Sequence, residues 1–270
     1  MSRLVLNKGA APRNPTANKV ALYLDQAAPG VGTTIKPVVI DESGNKLVLG
    51  GLGIQDYRLI RVTNILTGTV TFTPSNGARA LFVECIGAGG AGGGAALCST
   101  QVSVGSGGGG GAYSAKWITG TLKASYTVAV GAGGTAGGAG AAGNAGGDTT
   151  FDSPSVCTAK GGAGGAVMAA GTTLIGQAGT LGGASASGVG DIKSDGCAGE
   201  GCIRLSTTGG LGGYGGAGFP TGGNGLGAAV AGVGTAALSY GGGGGGSMAT
   251  STAQVGGVGF AGLIRIWEFA

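Results

Sequence analysis

The sequence predicts an all-β chain: an antiparallel β-sandwich with long glycine-rich insertions that pack as a polyglycine, polyproline-II-like bundle, preceded by a small N-terminal β module. Three observations predict it. Short apolar stretches rich in β-branched and aromatic residues recur between turn signals, and no stretch carries helical periodicity. From Gly87 to Gly262 about one residue in three is glycine, which opposes helix and removes side chains from any core built there. That region opens directly after one strong strand, Ala80–Ile86, and closes directly before another, Leu263–Phe269.

Residues 1–19 are polar and turn-rich, with Pro12 and Pro15 limiting regular structure, and read as an extended arm. Val20–Asp25, Ile35–Ile40 and Lys46–Leu49 alternate with turn sequences and form a small β meander. It is too small to hold a core alone, and Pro37 confines its strand to an edge. Gly50–Gly53 is a hinge, which places a first domain at 1–53 and a second at 54–270. In the second, Tyr57–Val62 and Gly68–Thr73 are strands, the latter setting Val70 and Phe72 against threonines. Pro74–Gly77 is a turn. Ala80–Ile86, Ala112–Ile118, Ser125–Val130 and Leu263–Phe269 complete the strands.

The glycine region is expected to fold rather than to act as a linker. It is poor in serine, proline and charge and is punctuated by Tyr113, Trp117, Tyr126, Phe151, Tyr214, Phe219 and Tyr240, and the mean hydropathy of the chain is positive. A collagen helix is excluded because glycine does not recur strictly at every third position and prolines number only 7. A polyproline-II segment has no internal hydrogen bonds, so its N–H groups must reach neighbouring segments, and only glycine lets backbones approach closely enough. The doublets from Gly89-Gly90 to Gly222-Gly223 would be the interior runs, with the residues between them in turns at the two ends. Recognition is expected on those turns: 99–104, 148–156, 167–174, 185–202, 214–224 and 236–240.

Composition removes several functions. Histidine is absent, so acid–base work would fall to carboxylates and lysines, and the chain reads as a non-enzyme without cofactor or metal. Gly87-Ala-Gly-Gly-Ala-Gly92 fits the dinucleotide-binding spacing, but no helix follows and chance matches abound in such a region. A net charge of +4 resides in the flanks without a basic block, which argues against nucleic acid. The 5 cysteines, Cys85, Cys98, Cys157, Cys197 and Cys202, are an odd set at wide spacing and read as small buried hydrophobes. No signal peptide and no membrane span are expected.

Three portions resemble bacteriophage tail-fibre and tail-tip proteins with a glycine-rich receptor-binding domain. They are residues 19–49, residues 68–134 (Gly-Thr-Val-Thr-Phe-Thr-Pro, Leu-Phe-Val-Glu-Cys-Ile-Gly-Ala-Gly-Gly and Tyr-Thr-Val-Ala-Val-Gly-Ala-Gly-Gly), and the ending Ala-Gly-Leu-Ile-Arg-Ile-Trp-Glu-Phe. The resemblance implies a virion component of the tail, made in the host cytoplasm and released by lysis. It would be a homotrimer that attaches to other tail proteins through residues 1–53 and binds a host surface polysaccharide or outer-membrane protein. The receptor-binding candidates are Asp191, Lys193, Asp195, Glu200, Tyr214, Phe219, Asn224 and Tyr240. The aromatics among them suit stacking on sugars or docking on a protein loop, and equally suit capping the bundle ends. The acidic cluster suits a weak cation or polar ligand site, and equally an ordinary solvated loop. The alternative function is a purely structural tail-tip or decoration subunit that never touches a receptor. An ice-binding or matrix protein would want a regular flat repeat and a secretion signal.

Overall fold

A computed structural model describes residues 21–25, 36–40, 46–48, 58–152, 156–184 and 187–270, with side chains from residue 58 onward. The expected arm, the turns at 28–32 and 41–45 and the hinge lie outside the described residues. The chain forms two units, Met1–Tyr57 and Arg58–Ala270. Among the described residues every strand pairing is antiparallel and there is no α-helix.

In the first unit β1 (Ala21–Asp25), β2 (Lys36–Ile40) and β3 (Lys46–Val48) form a sheet in that order. The edge position expected from Pro37 is corrected, because β2 lies in the middle. Proline is tolerated there because β3 reaches only Val38 to Ile40, while Pro37 faces Leu24 of β1. The missing N–H therefore breaks no ladder on the β3 side.

The second unit begins with β4 (Leu59–Ile65), β5 (Thr69–Phe72), β6 (Ala80–Ile86), β7 (Val102–Gly105), β8 (Tyr113–Thr119) and β9 (Tyr126–Ala129). Short strands follow: β10 (Thr149–Phe151), β11 (Cys157–Ala159), β12 (Val167–Gly171), β13 (Ile175–Gln177), β14 (Ile192–Ser194), β15 (Cys202–Arg204), β16 (Gly210–Leu211) and β17 (Met248–Ala249). The last strand is β18 (Leu263–Phe269). A five-stranded sheet, β14-β8-β6-β18-β4, and a four-stranded sheet, β11-β10-β9-β5, share one core. Strand alternation decides its contents. Leu81, Val83, Cys85, Ile264 and Ile266 enter from the first sheet, and Phe72, Tyr126, Val128, Phe151 and Cys157 from the second. Glu268 is fully buried, and its charge is met by the Arg61 guanidinium and by the Ser75 N–H at 2.6 Å.

Between β6 and β18 the interior is made of backbone. Along residues 106–112 successive N–H groups turn through three neighbours and then repeat. Ser106, Gly109 and Ala112 donate to Ala166, Ala163 and Lys160. Gly107 and Gly110 donate to Glu200 and Cys197, and Gly108 and Gly111 to Gly244 and Gly241. A three-residue repeat in which every bond leaves its own segment is the habit of a polyproline-II helix. The carbonyls of 105–112 in turn accept from Gly87, Gly90 and Gly93, from Gly213 and Gly216, and from Gly183. This segment therefore has a neighbour on each of six sides. Residues 87–95 and 241–247 are surrounded in the same way, and the three lie together at the centre. Segments 131–137, 141–147, 160–166, 179–183, 196–201, 212–218, 223–228, 234–238 and 254–262 close a ring around them.

Glycine is required at the centre because a Cβ on any of Gly107 to Gly111 would overlap a carbonyl oxygen of a neighbouring segment. Ring segments obey a looser rule that reads as Gly-Gly-x: Gly161-Gly-Ala-Gly-Gly-Ala166, Gly212-Gly-Tyr-Gly-Gly-Ala217 and Gly256-Gly-Val258. The third residue faces away from the centre. Leu181, Tyr214, Leu226 and Val258 are accordingly exposed on the flanks, where the sequence expectation put such residues in terminal turns.

Candidate functional site: the cap of the glycine bundle

The bundle has two unlike ends. At one end residues 87, 112, 160 and 241 meet the two-sheet core, since 87–95 continues β6 and 105–112 leads into β8. The other end is a cap built from the returns 95–104, 138–141, 166–179, 201–212, 228–234 and 247–254. Two small sheets stiffen it, β12-β7-β17 and β13-β15-β16. They share a second apolar cluster of Val102, Val104, Met168, Cys202 and Met248, beside a third of Ala95, Cys98 and Ala249. Burial pushes the Cys202 thiol up to about 11, so it stays protonated and packs as a small apolar group.

Arg204 ties the returns together. It is buried, and its guanidinium donates to the carbonyls of Thr173 (Nε, 2.8 Å), Ala169 (Nη1, 2.7 Å) and Val102 (Nη1, 3.4 Å). Gly171 packs against that guanidinium, which fills the place a Cβ would take. Ser103 adds a relay, accepting from the Ala96 N–H and donating to the Met168 carbonyl, each at 2.9 Å. Arg204 is the only ionisable side chain other than thiols in the returns of the cap. The surface is therefore uncharged: serines and threonines interleaved with aliphatic side chains. Leu97, Leu174 and Val230 stand 71%, 68% and 74% exposed, with Ile175, Leu205 and Val233 also open. This concentration of exposed aliphatic side chains at one end makes the cap the candidate contact surface.

The sequence-derived candidates fall elsewhere and do not form one cluster. Asp191, just before β14, bonds Lys116 at 2.5 Å and accepts the Trp117 N–H at 3.1 Å. The Lys116 ammonium, then that N–H, hold its carboxyl below the usual carboxylate range. Lys193 reaches the Gly188 carbonyl at 3.2 Å, and Asp195 follows β14 on the exposed surface. Phe219 sits edge-on to Tyr113 and Tyr240 edge-on to Phe260, with ring centres 5.3 and 5.1 Å apart. Both are at the end of the bundle that meets the core. Asn224 opens segment 223–228 at that same end. Only Glu200 and Tyr214 are neighbours on the flank, joined by the Glu200 N–H to the Tyr214 carbonyl at 2.7 Å. Asp191, Asp195 and Glu200 do not converge, and among the described residues no three acidic, cysteine or histidine side chains do. Cys85, Cys98, Cys157 and Cys202 are buried, and Cys197 is exposed.

The sequence marks 99–104 and 167–174 as turns for recognition, whereas Leu97, Leu205, Val230 and Val233 lie outside those stretches. The signal available was an aliphatic residue between small polar ones where a Gly-Gly-x run stops.

A family described as glycine-rich domain matches residues 63–266, from within β4 to within β18. No curated protein matches the chain.

Proposed function

The chain belongs to the glycine-rich domain family, and on that premise we propose that it is a non-enzymatic adhesin of a phage tail whose cap contacts a receptor on the host surface. The observation that carries the reading is the cap itself: six returns that expose no charged side chain, four of them with exposed aliphatics, held on a bundle whose interior is hydrogen-bonded backbone. Binding costs less when the loops are already ordered, and Arg204 orders three of these. The absence of exposed charge favours a protein receptor, one that offers an apolar loop, over an anionic polysaccharide. Residues 1–53 would serve the attachment to other tail proteins.

The test is adsorption of the labelled full chain to a panel of bacterial strains. A bound strain should lose binding at least about tenfold with Leu97→Asp combined with Leu174→Asp. Retained binding moves the contact to the flank at Glu200 and Tyr214. Adsorption to no strain favours the purely structural subunit, in which the cap packs against a neighbouring virion protein.

A further inference from the structure

One side of the bundle carries open backbone groups in two matching rows. Segments 131–137 and 254–262 lie side by side there, joined by Gly256 to Gly137, Gly259 to Gly134 and Gly262 to Gly131. Among the described residues, the N–H groups of Val255, Val258 and Ala261 find no acceptor, and the carbonyls of Gly133 and Ala136 receive no donor. Both rows step by three residues, about 9 Å in a polyproline-II helix. Val255 and Val258 are about half exposed, and Leu238 on the adjoining segment is 78% exposed. Segments 131–137, 234–238 and 254–262 hold no charged residue, whereas the two other broad sides carry Lys160 with Asp148, or Glu200.

We infer that this side pairs with the same side of a second copy of the chain. A two-fold axis running along the bundle between the two segments brings the donor row of each copy opposite the acceptor row of the other. Such a contact is isologous and closes on itself. The three-residue step is what selects the partner, because a β-strand edge presents its groups at a different spacing. Val255 and Val258 flank the donors and shield them from water, and with no charge on either face nothing opposes the approach. The same axis leaves both caps at one end. The pairing is independent of what the cap binds.

Sedimentation and native mass spectrometry of the full chain over a concentration series test it. The expected result is a monomer–dimer equilibrium whose dissociation constant rises at least about tenfold with Val258→Asp. Leu181→Asp, on a segment that touches neither row, should leave it unchanged. Hydrogen exchange on the unmodified chain needs no variant: the Val255, Val258 and Ala261 amides should gain protection as concentration rises. A monomer at every concentration, a trimer, a dimer indifferent to Val258→Asp or exchange indifferent to concentration would each overturn the pairing.

Discussion

The two-sheet core and the glycine bundle lie in one unit and fill their interiors by opposite means. In the core, Phe72, Tyr126 and Phe151 stack with ring centres 4.8 to 6.5 Å apart, and the backbone lies outside the apolar layer. In the bundle the backbone is most of the interior, and side chains larger than the methyl groups of Ala88 and Ala91 and the hydroxymethyls of Ser106 and Ser247 are kept to the rim. The first derives stability from removing apolar surface from water. The second derives it from pairing nearly every central N–H and carbonyl while backbones touch. A core therefore tolerates a change of similar volume, whereas the bundle tolerates none where six neighbours close in.

Three experiments break or sharpen that contrast. Phe151→Ala should lose about 3–5 kcal/mol, the usual result of emptying a fully buried aromatic site, measured by denaturant unfolding. Gly109→Ala adds a single methyl group that overlaps the Leu181 carbonyl. It should cost about 3 kcal/mol, the upper end for overpacking, because no flexible side chain is present to yield. Gly138→Ala has open space around its added Cβ and should stay within about 0.5 kcal/mol. Equal effects at Gly109 and Gly138 would show that chain entropy, and not packing, sets the requirement for glycine.

The smallest effect is electrostatic and belongs to neither interior. The folded-state pKa of Asp191 lies below its ordinary value of 3.8, so the ion pair with Lys116 stabilises the fold above that value. The contribution is lost as pH falls through the lowered pKa. Both partners are substantially exposed, so solvent screening limits it to about 0.5 kcal/mol or less. Thermal unfolding from pH 6 to about pH 2 should show that slope, and Asp191→Asn should remove it.

Much of the fold was legible because local pattern and final position agree. The alternation in Ala80–Ile86 put Leu81, Val83 and Cys85 on one face, and the structure buries all three. Strands of four or five residues such as β7 and β12 were not legible, since they pair with each other across 62 to 69 residues of sequence and so few residues carry little periodicity. The candidate site was the least legible part. Charged and aromatic residues drew attention to Asp191, Phe219 and Tyr240, yet their surroundings engage them near the core. Leu97 and Val230 looked ordinary in sequence and are prominent only because six separate returns meet at one end.

By itself the sequence determined the class, all-β and helix-free, the framing of the glycine region by two strong strands, and the need for that region to satisfy its backbone through neighbouring segments. Those are properties of residue type: what a missing Cβ permits, and what a buried N–H requires. Tertiary structure alone decided which three segments occupy the centre, which glycine tolerates a methyl group and which turns share the cap. Each of those depends on which distant carbonyl lies opposite a given N–H, and a chain with so few side chains carries almost no local trace of that choice.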